Sequence, residues 1–170
     1  MIRRVLWFAA IVLTALLLQS TVFEQMRLVG VKPELMYLVT ILIAVMEGPQ
    51  EGALVGFVGG MAQDFMLNTP KGITALTLTL VGYAVGMARQ YIVSPSPLLP
   101  ALLVAVGTAV GLGFYQVVRL LLGQLPGEPL GYGIKVSLLA AIYGAVLTPI
   151  VYPLLRRLTE RSRPMRVVRF

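Results

Sequence analysis

Cysteine and histidine are absent from this 170-residue sequence, and aspartate occurs once, at Asp64. Without cysteine there is no disulfide and no thiolate nucleophile, and without histidine there is no imidazole base or imidazole metal ligand. An aspartyl intramembrane protease needs two aspartates, and the H-E-x-x-H motif of zinc proteases needs two histidines. Nothing places a base beside a serine nucleophile either. We therefore predict a protein that is not an enzyme and that holds no metal or cofactor.

Charged residues are also few. They make up 12% of the chain, against 58% apolar residues, and the mean hydropathy is +0.86. A soluble domain has about 45 to 50% apolar residues, so the composition predicts an integral membrane protein. The net charge is +7, but the basic residues flank apolar runs and form no motif that reads nucleic acid. We expect them to meet anionic lipid headgroups, and we exclude nucleic acid as a partner.

Six apolar segments predict a six-transmembrane-helix bundle in one domain, residues 1–155, followed by a basic cytoplasmic tail, residues 156–170. The helices are expected at about 5–23, 35–46, 52–67, 72–93, 98–122 and 132–155. The first has no small-x-small cleavage site and is predicted to be an uncleaved anchor. The second covers only about 18 Å, against about 30 Å of hydrocarbon. It therefore borrows flanking residues, is re-entrant, or lies buried among the other helices.

The distribution of basic residues predicts that both termini are cytoplasmic. Six spans then place nine basic residues on the cytoplasmic side, six of them arginines after position 155, and five on the opposite side. This arrangement satisfies the positive-inside rule, whereas the inverted topology breaks it. The sequence thus predicts a multi-pass protein whose arginine-rich tail lies at the anionic inner leaflet.

The most informative stretch runs from residue 48 to residue 86 and is rich in glycine. If its first part is a helix, the residues with the smallest side chains fall on one face about 100° wide, with Asp64 at the edge. The residues of this face are Gly52, Gly56, Gly59, Gly60 and Gln63. Close approach of backbones through small residues is a principal way for helices to associate in lipid. This face is therefore predicted to be a helix-packing surface.

The second part of the stretch repeats the pattern, because Ala75, Thr79, Gly82 and Gly86 fall on one narrow stripe. Two such faces joined by a short turn predict an antiparallel helix pair. Packing within the chain accounts for most of the small residues. In a compact bundle at least one such face would remain spare and would suit a helix from another chain.

Asp64 is the acid that calls for an explanation, because a carboxylate within a membrane segment is costly. One interpretation is structural: Asp64 lies one turn from the predicted external interface, where water or Lys71 would reduce the cost. The other is a contact with a basic or donor group of another protein. Both interpretations stay open at the level of sequence.

Several residues occur along the chain in an informative order: Gln19, Pro33, Gly56, Phe57, Gly60, Asp64, Gly72, Ala75, Leu76, Leu80, Gly82, Tyr83 and Gly86. This order resembles that of the MreD family of bacterial rod shape-determining membrane proteins. Length, number of predicted spans and the two basic termini fit as well, so that the resemblance covers essentially the whole chain, although the last two spans match only in general character.

The resemblance implies a non-enzymatic scaffold of the peptidoglycan elongation machinery in the bacterial cytoplasmic (inner) membrane. Implied partners are MreC, through its single transmembrane helix, and also MreB, RodA and its penicillin-binding transpeptidase. We expect the helix of MreC to bind a glycine-lined face of the 52–86 hairpin, with Asp64 fixing its register near the periplasmic side. The candidate partner-binding residues are Gly52, Gly56, Gly60, Asp64, Gly82 and Gly86.

An alternative function follows from fold similarity, because the MreD family resembles the six-helix substrate-binding subunits of energy-coupling-factor vitamin transporters. Such a subunit needs a ligand-sized pocket with polar groups, open to the outside. The predicted spans contain few polar residues in their middles and the predicted outer loops are short. The scaffold is therefore favoured over the transporter subunit, and fold similarity alone does not decide between them.

Overall fold

The computed structural model describes residues 2–21, 34–66, 72–92, 98–123 and 130–162. These residues form six α-helices and no strand, as the sequence predicted. The short turn predicted between the two small-residue faces and the proline at position 33 lie outside the described residues. The helices are α1 (Ile2–Thr21), α2 (Leu35–Glu47), α3 (Pro49–Met66), α4 (Ile73–Tyr91), α5 (Leu99–Leu121) and α6 (Leu130–Ser162).

The short helix α2 is the centre of the bundle. Every residue from Leu35 to Ala44 is buried, and α2 contacts all five other described helices. Those five contact one another in the ring order α1, α3, α4, α5, α6 and back to α1. Because α2 is covered by protein on all sides, its length of about 20 Å does not have to match a bilayer. Of the three arrangements left open for this segment, the structure has the buried one.

The turn from α2 into α3 is a single residue, Gly48. Its φ of 104° lies in the left-handed region, where a side chain would be strained. Pro49 follows as the first residue of α3, a position at which the missing N–H has no helical partner to lose. Gly48 and Pro49 therefore reverse the chain with no intervening loop, which brings the start of α3 directly against the end of α2.

Helices α3 and α4 form the most extensive helix pair of the described residues. They run antiparallel, since Gly52 lies against Gly82 and Gly56 lies against Leu78. A Cβ built on Gly52 would lie 2.8 Å from the carbonyl oxygen of Gly82. The two backbones are therefore in direct contact, and the predicted antiparallel pair is confirmed.

Two of the described helices are long and apolar enough to cross a membrane by length and composition, residues Leu99–Leu121 and Gly131–Arg157. Their outward faces carry exposed aliphatic side chains such as Val110 and Val146. Helix α6 continues to Ser162, seven residues beyond its predicted end at 155. The first part of the predicted basic tail is therefore helical.

Candidate functional site

The glycine faces predicted to receive another chain are covered within this one. Besides the contact of Gly52 with Gly82, a Cβ on Gly60 would meet the backbone of Ala75, and one on Gly86 would meet the backbone of Pro49. A foreign helix could reach these glycines only if α3 and α4 separated. Packing within the hairpin uses the two small-residue stripes against each other.

Asp64 has no exposed surface, and its carboxylate lies at the amino end of α4. Its Oδ2 accepts hydrogen bonds from the backbone N–H of Gly72, at 2.9 Å, and of Ala75, at 3.2 Å. Those N–H groups have no partner inside the helix, and the positive end of the helix dipole favours a carboxylate. Asp64 therefore supplies the cap that Gly72, the N-cap residue without a side chain, cannot supply. Lys71, its other predicted partner, lies outside the described residues.

The amino end of α2 is capped in the same way by a residue from another helix. The Oε1 of Gln19, near the end of α1, accepts a hydrogen bond from the backbone N–H of Met36 at 3.3 Å. Its Nε2 donates to Glu34 Oε2 at 3.1 Å, and the Nε2 of Gln63 donates to the same oxygen at 3.3 Å. Glu34 itself makes no capping hydrogen bond. These contacts tie α1, α2 and α3 together at one end of the bundle, which we call the Glu34 end.

Two tyrosines extend this polar region towards α4 and α5. Tyr37 is buried, with its hydroxyl within electrostatic range of Glu34, Asp64 and Tyr115, and the Tyr115 hydroxyl pairs with the side chain of Thr74. We call Gln19, Glu34, Tyr37, Gln63 and Asp64 the polar cluster. Asp64 was predicted from the sequence to be a site residue, whereas Glu34 and Tyr37 were not. In the sequence, Glu34 and Tyr37 are recognisable as an acid and a tyrosine one turn apart at the start of the most apolar segment.

Several hydroxyl groups inside the helices are used locally. The hydroxyls of Thr77, Thr79 and Thr148 each donate to the carbonyl oxygen four residues earlier, at 2.8, 2.6 and 2.7 Å. Ser137 donates in the same way to Gly133 at 2.9 Å. Such back-bonding satisfies a hydroxyl without any partner outside its own helix. These residues therefore offer little polarity to a bound solute.

A groove runs along the seam between α4 and α5. It has a volume of about 340 Å³ and is lined by six residues of α4, between 77 and 88, and six of α5, between 103 and 114. The α4 wall carries the small residues Ala84 and Ala88, and the α5 wall carries Gly107 and Gly111. Eleven residue steps of helix correspond to about 16 Å. We call this feature the α4/α5 groove.

Two glycines of the α4/α5 groove, Gly107 and Gly111, lie against the central helix α2. A Cβ on Gly107 would lie 2.9 Å from Ile41 Cδ1, and one on Gly111 would lie 2.6 Å from Tyr37 Cε1. The glycines of α5 thus let α5 lie close to α2 and leave the seam open on the outer side. Thr77 is the one groove residue with a polar side-chain group, and its hydroxyl is bonded to Ile73.

The family model for the rod shape-determining protein MreD matches residues 1–158 of this chain. The chain belongs to the MreD family. The resemblance stated from the sequence is thereby confirmed. No curated protein and no solved structure matches the chain.

Membership in the MreD family gives this bundle a role in rod shape determination, and the two long apolar helices agree with a membrane protein. The family description names a cell-shape role and no reaction. Several residues on which the resemblance rests make contacts that hold helices of this chain together. Gln19 and Asp64 are caps between helices, and Gly56, Gly60 and Gly82 form the α3 to α4 contact.

Proposed function

We propose that this MreD family member is a non-enzymatic membrane adaptor of the machinery that builds lateral peptidoglycan, and that it holds the transmembrane helix of MreC in the α4/α5 groove. The observation that carries this proposal is the groove itself, an apolar seam about three helical turns long on the outer surface of the bundle. It replaces the glycine face of the hairpin as the binding site.

The shape of the groove suits a helix. Lining residues recur at intervals of three or four along both walls, as in Ala84 and Ala88 or Gly107 and Gly111. A helix lying over the seam would meet two parallel ridges with small residues between them, the arrangement that allows close packing in lipid. Exposed aliphatic side chains border it, among them Leu80 and Val106. An apolar partner would therefore bury side chains on both sides of the seam.

The chemistry of the groove weighs against the alternative, a vitamin-binding subunit. Its volume of about 340 Å³ is at the low end of the about 300 to 1,000 Å³ of small-molecule pockets. Such pockets need a few placed polar groups to orient the ligand. The hydroxyl of Thr77 is already bonded, and the remaining lining residues have apolar side chains or none. The similarity in fold to those transporter subunits stays a proposal.

The topology proposed for the adaptor has six membrane-crossing helices with both termini in the cytoplasm. Helices α1, α3 and α5 then end on the periplasmic side, where the polar cluster lies, and α2 crosses inside the shell formed by the other five. Arg156 and Arg157, on the last turns of α6, would lie at the inner leaflet and attract anionic lipid headgroups. MreB, RodA and its penicillin-binding transpeptidase are further proposed partners on the basis of the family.

Blocking the groove tests the proposal. Val110→Trp places a large ring over the groove, whereas Val146→Trp makes the same change on α6, at a residue that is 65% exposed against 64% for Val110. We expect Val110→Trp to reduce the amount of MreC that co-purifies by about tenfold, the equivalent of about 1.4 kcal/mol. Val146→Trp should leave it unchanged. Equal recovery of MreC with both variants would refute the groove as the site.

A further inference from the structure

Gln63 Oε1 and the hydroxyl oxygen of Tyr37, both in the polar cluster, are buried and have no hydrogen-bond partner in the described structure. Gln63 is 6% exposed and Tyr37 is 2% exposed. An amide oxygen can only accept, so that it needs a donor or a cation. A buried polar group left without either costs about 1 to 3 kcal/mol, which favours a donor or a cation beside each of these atoms.

The Glu34 carboxylate lies near both of these oxygen atoms. The same Gln63 amide group donates through Nε2 to Glu34 Oε2, so that Oε1 is held beside the Glu34 carboxylate. Tyr37 follows Glu34 by one turn of α2, and its hydroxyl is within electrostatic range of both Glu34 and Asp64. Gln63 Oε1 and the Tyr37 hydroxyl therefore both lie near the Glu34 carboxylate in the bundle interior.

We propose that the polar cluster binds a small monovalent metal cation, with Na⁺ as the probe, through Gln63 Oε1, the Tyr37 hydroxyl and the Glu34 carboxylate. Carboxylate, amide and hydroxyl oxygens are the ligands of hard cations. Asp64 accepts two backbone N–H groups and Glu34 accepts two amide N–H groups, which offsets part of each negative charge.

The number of acids favours a single positive charge. No group of three or more acidic, histidine or cysteine side chains gathers in the part of the chain that the structure describes. Tight divalent sites generally use more carboxylates than that. A cation here would link Gln63 of α3 to Glu34 and Tyr37 of α2, and it would stabilise the folded bundle because only the folded state brings these residues together.

The test is the thermal unfolding of the purified full-length protein in detergent. NaCl is compared with N-methyl-D-glucamine chloride at the same pH and ionic strength. The wild-type protein is expected to show a saturable rise in Tm with Na⁺ concentration. Gln63→Met removes the amide oxygen at nearly constant length, and the rise should disappear. Gln116→Met makes the same change on α5, where Gln116 lies beside Gly133 and outside the cluster, and the rise should remain.

Tyr37→Phe removes only the hydroxyl and serves as a second variant if Gln63→Met does not fold. It should raise the Na⁺ concentration needed for half of the stabilisation by about tenfold or more, as expected for a lost contact of about 1.4 kcal/mol. Equal Tm values in the two salts for the wild-type protein would mean that a neutral water fills the space, and the proposal would be wrong. A Na⁺-dependent rise that is unchanged in both variants would also overturn it.

Discussion

The carboxylate of Asp64 near the end of α3 accepts a hydrogen bond from the backbone N–H of Gly72, at the start of α4, across 2.9 Å. The bond joins two consecutive helices, through a side chain of the first and, at the start of the second, a backbone N–H that has no partner within its own helix. It explains how a fully buried acid is tolerated, because the amino end of a helix supplies both N–H donors and a positive partial charge. Asp64 thus works as part of the architecture of the hairpin.

Replacing Asp64 should therefore destabilise the protein. Asp64→Ala leaves the N–H groups of Gly72 and Ala75 without their acceptor, and we expect a loss of about 2 kcal/mol or more in the free energy of unfolding. Asp64→Asn keeps a carbonyl oxygen that can accept but loses the charge, so that its Tm should lie between those of Asp64→Ala and wild type. Thermal unfolding in detergent measures the series. A Tm of Asp64→Ala equal to that of the wild type would contradict the capping role.

The hairpin contact predicts a contrast between two glycines. A Cβ on Gly82 would press against the backbone of Gly52 and lie 3.0 Å from Thr40 Cγ2, whereas a Cβ on Gly113 meets nothing within 4 Å. We expect Gly82→Ala to cost about 1 to 3 kcal/mol through overpacking. Gly113→Ala should be neutral or stabilising by up to about 1 kcal/mol, because alanine is the better helix former. If thermal unfolding shows the same shift for both variants, the close approach of α3 and α4 is not the cause.

We expect the side-chain amide of Gln19 to stabilise the first turn of α2 against local opening. Gln19→Leu removes the acceptor of the Met36 N–H and one of the donors to Glu34. Amide hydrogen exchange of the first turn of α2 should become faster by about tenfold, as expected when local opening becomes easier by about 1.4 kcal/mol. Gln90→Leu, at an exposed residue near the end of α4, is the matched control and should not change that turn. Unchanged exchange in Gln19→Leu would show that Gln19 does not hold it.

Much of the fold could be predicted from the pattern of apolar and small residues. The apolar runs located all six helices, and the spacing of Gly52, Gly56 and Gly60 predicted the close helix pair. The same spacing could not reveal what lies opposite each face, because a small-residue stripe looks identical whether its neighbour belongs to the same chain or to another. That is why the partner site was assigned to glycines that meet Gly82, Leu78 and Ala75.

The polar residues were harder to interpret. A cap supplied from another helix has no local signature: Asp64 precedes the α4 terminus by eight residues, and Gln19 precedes Met36 by seventeen. The sequence signals for helix starts look for a capping residue next to the helix, and at these two starts stand Gly72 and Glu34, neither of which caps by its side chain. The α4/α5 groove was equally hidden, since Ala84 and Ala88 are ordinary helix residues until α5 is placed beside them.

Disulfide cross-linking tests the helix-binding role of the α4/α5 groove most directly. Because the chain contains no cysteine, an introduced cysteine is its single thiol. Val110→Cys places a thiol in the groove, and Val146→Cys places one on the exposed face of α6. Each is expressed in membranes with MreC carrying single cysteines along its transmembrane helix. We predict that the Val110→Cys variant forms disulfides with MreC cysteines at positions three or four residues apart along its helix. The Val146→Cys variant should form none above background. Cross-links that form equally with both, or only with Val146→Cys, would contradict the account.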